Sequence, residues 1–236
     1  MQSSIASSTV DTNAAELALS RTRDLCELIA SYAFVMLALW TTGALQRISI
    51  GLALLCIVFC ATRTWRSAGE WGLSKRGFRE SAWVVVVAVI LAALLILTAS
   101  RLHTLRVMLR GYAPAISLAA YSVWSLLQEF ILINVFLYRL LRLISNRTAA
   151  VVAAAALFAV AHIPNPLLIA ITLLWGTIAC LLFLRYRNLY TLALAHAIVG
   201  LTLAITVPDV IQHQMRVGIS YLHWHEPAVT RLVQPQ

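Results

Sequence analysis

The chain has 236 residues, of which 61% are apolar and only 11% charged, with a mean hydropathy of +0.85. A soluble domain carries about twice that charged fraction, so the composition excludes a soluble globular enzyme, a disordered chain and a disulfide-stapled secreted module, and points to a one-domain protein whose solvent is lipid. The net charge is +9, from 18 basic against 9 acidic residues; the basic residues stand between apolar runs, which suits loops facing an anionic lipid surface and argues against nucleic acid as a partner.

In chain order, residues 1–23 are small and polar and lack the apolar core of a signal peptide, so an uncleaved tail is expected there. Residues 24–112 form the N-terminal membrane helices. An apolar run over 25–46 is followed by one over 48–62, short for a span, then by a basic, Trp-bearing loop, 63–80, suited to the headgroup layer, and by a third run, 81–100. A basic connector, RLHTLRVMLRGY, leads into residues 113–207, the core. There a long run extends from Pro114 to about Ile144, an Ala-rich run covers 148–163 and stops at Pro164-Asn165-Pro166, and two more cover 167–184 and 189–207, the last stopped by Pro208. Residues 208–236 read as a polar tail in which His213, His223 and His225 face solvent. In lipid each backbone polar group must be satisfied within its own segment, so the runs are helices. The expected fold is all-α, a polytopic membrane bundle of about seven spans, within limits of six and eight.

With the N-terminus inside, the inner segments carry most of the 18 basic residues, among them Arg63, Arg66, Lys75, Arg76, Arg79, Arg139 and Arg142, which favours a cytoplasmic N-terminus. The cysteines, Cys26, Cys56, Cys60 and Cys180, lie in or beside apolar runs without paired CxxC spacing and are expected as small buried hydrophobes. Asn146-Arg147-Thr148 matches a glycosylation sequon but abuts the membrane on the inner side.

Burying an ionisable group in lipid is expensive, so such residues mark function. Between Tyr112 and Tyr138 the one charged residue is Glu129; between Thr148 and Leu184 the one ionisable acid–base group near neutrality is His162; between Asn188 and Pro208 it is His196. Ser122, Ser125 and Glu129 share a helix face bordered by Gln128, and Phe158 and His162 are one turn apart. His196 belongs to a stripe of small residues, Ala193, Ala197, Gly200 and Ala204, of the kind that lets membrane helices approach closely. One carboxylate and two imidazoles in a shared hollow could activate water for hydrolysis. They are equally the three protein ligands of a zinc hydrolase, although a Glu129 spent on metal would leave the core without a second acid to act as base.

The same residues resemble the CPBP family, the CAAX prenyl proteases and bacteriocin-processing enzymes. Glu129-Phe130-Ile131-Leu132-Ile133-Asn134 matches the EExxxR motif with Phe130 and Asn134 as departures. Phe158 to His162 matches FxxxH, and His196-Ala197-Ile198-Val199-Gly200 matches HxxxN/D with Gly200 as a departure. Glu70-Trp71-Gly72-Leu73-Ser74-Lys75-Arg76 resembles a short loop found before a membrane helix in that family. The resemblance covers roughly 65–205. It implies an integral, multi-pass protein of a prokaryotic inner or plasma membrane, an intramembrane peptidase acting on a membrane-associated peptide or protein, prenylated or leader-bearing. It also implies that Glu129 takes the water's proton, His162 positions the water and His196 serves the oxyanion or the leaving amine. Without an amide at Gly200 the oxyanion hole lacks a donor; Gln128, Asn134 and Asn165 are the candidates to supply one, although on an ideal helix Glu129 and Asn134 point about 140° apart. No cofactor is the first expectation and zinc, on Glu129, His162 and His196, the alternative. An inactive relative that binds a membrane partner, or a transporter or proton relay, would be the competing functions.

Overall fold

A computed structural model of the chain describes residues 2–63, 70–105 and 113–225, with the backbone alone for 2–15, 113–115, 117 and 118. Each of the seven apolar runs forms a helix: α1 (Gln2–Trp40), α2 (Gly43–Arg63), α3 (Phe78–Arg101), α4 (Ala113–Phe130) continued by a π-helical stretch (Ile131–Leu137) and α5 (Tyr138–Leu143), then α6 (Arg147–Val160), α7 (Pro166–Tyr186) and α8 (Leu189–Thr206). Two short helices follow, α9 (Asp209–Gln212) and α10 (Gly218–Leu222). The described residues contain no strand. Among the described residues five helical stretches are long and apolar enough to cross a bilayer. α6, with 14 residues, is too short to do so. The outer faces of α2 and α3 expose Leu55, Val58, Val86 and Leu94, as a lipid-embedded bundle requires.

Several boundaries differ from those expected. The polar residues before position 24 are not a separate tail; they are the first turns of α1, which meets neither Gly nor Pro before Trp40. The first two runs divide at Thr41-Thr42, where Gly43 takes φ +66°, so α2 gains residues and reaches 21, a full span. The loop expected to lie in the headgroups is built into the bundle over Glu70–Gly77. Gly72 O accepts from Leu189 N (3.0 Å), Asn188 Nδ2 donates to Ser74 O and Arg76 O, and the Trp71 ring stands edge-on to Phe130, 5.4 Å between centroids. Gly77 is required there: at φ +70° a Cβ would collide with the Tyr186 carbonyl. Trp65 and Arg66, and the connector residues 106–112, lie outside the described residues. Of the cysteines, Cys60 and Cys180 are buried, but Cys26 is exposed on the outside of α1 and Cys56 is half-buried.

Three asparagines start three consecutive helices. Asn146, Asn165 and Asn188 each accept from the backbone N–H three residues on, Ala149, Leu168 and Thr191, at 3.0, 3.2 and 3.1 Å. Asparagine at an N-cap satisfies a donor that lipid could not. α6 and α7 then pack closely because Gly176 faces Ala155; a Cβ at 176 would lie 3.3 Å from the Ala155 Cα.

Arg139, expected in an inner loop, is instead wholly buried. Its guanidinium binds Glu27 of α1 through Nε (3.1 Å) and Nη2 (2.7 Å), and Nη1 donates to the carbonyls of Asn134 and Val135 where the π-helical stretch gives way to α5. Next to it Arg142 holds Asp24 with two bonds of 2.6 and 2.8 Å. These pairs fix α1 to α5 and satisfy carbonyls freed by the change in helical pitch.

Removing Arg139 would leave Glu27 only its longer contact to the half-exposed Arg63 (3.6 Å), and breaking a buried pair costs about 3–5 kcal/mol. Arg139→Ala is therefore expected to lower stability sharply in detergent-solubilised protein followed by chemical or thermal unfolding. The double change Arg139→Met with Glu27→Leu should recover part of the loss by removing the stranded carboxylate. Wild-type stability in Arg139→Ala would refute the role given to the pair.

Candidate active site

The core helices bring the expected acid and bases to one place. Glu129, at the last turn of α4, is fully buried, and its Oε1 accepts from His196 Nδ1 on α8 (2.8 Å) and from Trp175 Nε1 on α7 (2.6 Å). Its Oε2 is buried without a hydrogen-bond partner, as is the Ser125 hydroxyl one helical turn earlier. His162 follows α6, in the turn that α6 is short enough to leave inside the bundle. Its Nδ1 lies 2.7 Å from the Phe158 carbonyl. Both imidazoles pack edge-on against the Phe158 ring, at centroid distances of 5.0 Å for His162 and 6.2 Å for His196.

These contacts determine where the ring protons sit. A backbone carbonyl only accepts, so Nδ1 of His162 carries the proton and Nε2 keeps its lone pair. An ionised Glu129 imposes the same tautomer on His196. Each neutral imidazole thus keeps one acceptor nitrogen unspent.

His162 and His196 border a cavity of about 310 Å³ enclosed by α1, α4, α6, α7, α8 and the segment after α9. Its wall is mostly apolar, with Val35, Trp124, Phe158, Leu168 and Trp175 prominent, and its polar members are Gln128, Tyr121, Thr172 and the two histidines. Glu129 does not form part of the wall; it stands behind His196, which is 12% exposed.

The supporting residues divide. Gln128 lines the cavity. Asn134 does not: it points to the loop before α3, where Nδ2 donates to Trp71 O (3.3 Å). Asn165 is fully buried and wholly committed, for besides capping α7 it donates to the carbonyls of Gln212 (2.9 Å) and Arg216 (3.2 Å). That bond pair corrects the picture of a free polar C-terminal tail. Residues 209–222 fold back beneath the site, where Met215 and Val217 close the cavity and Gly218 N donates to Ile163 O (2.8 Å). Gly218, at φ +57°, lies so near α1 that a Cβ would strike Leu39 O. His213 is likewise not solvated: its ring lies 4.3 Å from that of Tyr221 and 4.6 Å from that of Trp224. His223 and His225 are exposed.

Trp175 is the site residue that sequence reasoning missed. It sits on an apolar helix without a charged neighbour, and only the packing of α7 against α4 and α8 reveals its N–H as a partner for a carboxylate. Among the described residues no group of three from His, Cys, Asp and Glu could hold a metal ion, and the reachable oxygen of Glu129 is occupied by two N–H donors.

A family model described as Type II CAAX prenyl endopeptidase Rce1-like matches residues 110–202, a stretch containing Glu129, His162 and His196. No match appears among curated proteins or among solved structures.

A hydrogen bond to a charged group contributes about 1.5–3 kcal/mol. Trp175→Phe, which keeps the ring and removes the N–H, is expected to cost about that much in unfolding free energy, with the protein still inserted. An unchanged denaturation midpoint would show that Glu129 does not depend on this donor.

Proposed function

We propose that the chain, which the type II CAAX prenyl endopeptidase Rce1-like family model matches over residues 110–202, is a CPBP-family intramembrane endopeptidase that hydrolyses a peptide bond of a membrane-associated substrate, prenylated or leader-bearing, with water activated by the Glu129–His196 pair. The observation that carries the reading is the 2.8 Å bond from His196 Nδ1 to Glu129 Oε1 at the wall of an apolar cavity that His162 also borders.

The buried carboxylate accepts from Nδ1 and so orients the His196 ring, leaving Nε2 to serve as the base on the cavity side. Water enters with two protons, and the two imidazole lone pairs are two acceptors for them. As the water oxygen bonds to the scissile carbonyl carbon, one proton passes to His196 Nε2 and the carbonyl π pair moves onto its oxygen. His196, now imidazolium, returns a proton to the amide nitrogen as the carbon–nitrogen bond breaks and the carbonyl re-forms. The products are an amine and a carboxylic acid, which ionises in water. His162, held by Phe158, positions the attacking water. Glu129 acts through His196 rather than on the water directly, which follows from its place behind the imidazole. No metal takes part in this reading.

Loss of a positioned acid–base group lowers rates by about 10²–10⁴-fold. Glu129→Gln, His162→Ala and His196→Ala, each reconstituted in liposomes, should show falls of that order with a farnesylated C-terminal peptide or a membrane-anchored leader peptide as probe, products being followed by mass spectrometry. Full cleavage by any variant removes that residue from the mechanism. A wild-type protein that cuts neither probe refutes the endopeptidase reading.

A further inference from the structure

Hydrolysis in this cavity places a negative charge on the carbonyl oxygen, and a donor must meet it. Most donors around the cavity are already spent. His162 gives Nδ1–H to Phe158 O, His196 and Trp175 give theirs to Glu129, and the Thr172 hydroxyl donates to Leu168 O (2.6 Å). His162 presents a lone pair to the cavity, which repels an oxyanion, and His196, protonated as the water attacks, must hand that proton to the leaving nitrogen. Three donor-bearing side chains of the wall make no hydrogen bond with any described residue, Tyr121, Gln128 and Trp124, and Trp124 is half exposed on the outside of α4.

Tyr121 has a particular relation to the catalytic helix. It stands two turns before Glu129 on α4, and its ring end lies against the bare backbone of Gly200, one turn beyond His196 on α8. A Cβ at position 200 would meet the Tyr121 hydroxyl and come within 2.9 Å of its Cε1 and 3.0 Å of its Cζ. The phenol therefore occupies the volume that a side chain at 200 would fill, and Gly200 is the residue that makes room for it. Pressed against that backbone, the ring has little freedom, whereas Gln128 keeps the rotamer entropy of a long flexible chain.

The geometry points to Tyr121 as a catalytic residue: its hydroxyl is the oxyanion donor of this site, held in place of a side chain by Gly200. The inference rests on the endopeptidase reading and adds to it the group that binds the developing charge. As the carbonyl π pair moves to oxygen, the Tyr121 O–H donates to that oxygen, and it keeps its proton when the carbonyl re-forms. The bond strengthens in the transition state, so it contributes to turnover rather than to substrate binding.

The test compares wild type, Tyr121→Phe, Gln128→Leu and Glu129→Gln in liposomes, with whichever of the two probe peptides the wild type cuts. Tyr121→Phe preserves the ring that packs on Gly200 and removes one donor. It should lower kcat by about 10²–10³-fold with KM unchanged. It should also weaken binding of a phosphinic analogue of the same peptide, whose tetrahedral oxygens imitate the intermediate, by a similar factor, without changing affinity for the uncut peptide in the Glu129→Gln background. Tyr121→Ala should lose activity, and adding Gly200→Asn, which then has space for an amide, should restore part of it. Wild-type kcat in Tyr121→Phe while Glu129→Gln is inactive overturns the assignment and leaves the endopeptidase reading intact. A loss confined to Gln128→Leu does the same. Equal cleavage by wild type, Glu129→Gln and Tyr121→Phe overturns both.

Discussion

A carboxylate with no solvent exposure in the middle of an apolar bundle is the constraint around which the C-terminal half is arranged. Desolvating Glu129 costs several kcal/mol unless donors replace the lost water, and the two donors come from different helices, Trp175 on α7 and His196 on α8. Three helices distant in sequence must therefore hold a common register. The packing supplies it by small residues: Gly176 lets α7 approach α6, while Ala195 and Ala197 are wholly buried on α8 and Gly200 leaves room for Tyr121 of α4. Close approach without bulky side chains is what membrane helices use where apolar burial gives no net drive. Here the same closeness brings an acid within hydrogen-bond reach of a base.

The helix that carries Glu129 is not uniform. Directly after it the chain winds as a π-helix over seven residues, a conformation that is uncommon at that length and that costs backbone hydrogen-bond geometry. The structure offsets the cost with Arg139, which donates to two carbonyls at the end of the stretch while its charge is matched by Glu27 of α1. A long-range ion pair between α1 and α5 thus supports the pitch change beside the site. Within that stretch Asn134 points not into the cavity but toward the loop before α3, where it binds the Trp71 carbonyl.

The reading of the sequence went as far as local chemistry allows. Long apolar runs can only be helices in lipid, so all seven were visible, as were Pro164 and Pro208 as stops, whereas Pro166 begins α7. Glu129, His162 and His196 stood out because so few ionisable residues interrupt the core. What was not legible depends on tertiary partners. Nothing local distinguishes Arg139 from the other basic residues near helix ends until Glu27 arrives from more than a hundred positions away. Asn165 reads equally well as a donor for chemistry and as a cap, and only the returning segment at Gln212 and Arg216 decides that it is committed. Residues 209–222 are polar enough to look like a tail, yet their backbone groups find partners on the turn after α6. The division of α1 from α2 turned on a single glycine with positive φ, which no periodicity reveals.

The shortness of α6 links these features. A helix that crossed the bilayer would carry residue 162 to the far interface; one of 14 residues ends within the bundle and leaves an irregular turn where lipid tolerates none. Such backbone survives at depth only when protein covers it or when it borders a polar cavity. Both conditions hold here. Asn165 and Gly218 tie the turn to the C-terminal segment, and His162 faces the hollow that Met215 and Val217 close. The segment after α9 therefore has two effects at once: it satisfies the backbone of the turn and keeps acyl chains out of the space where water must stand. The hollow and the stability of the interrupted helix have the same cause, and neither could be kept if the C-terminal segment were released.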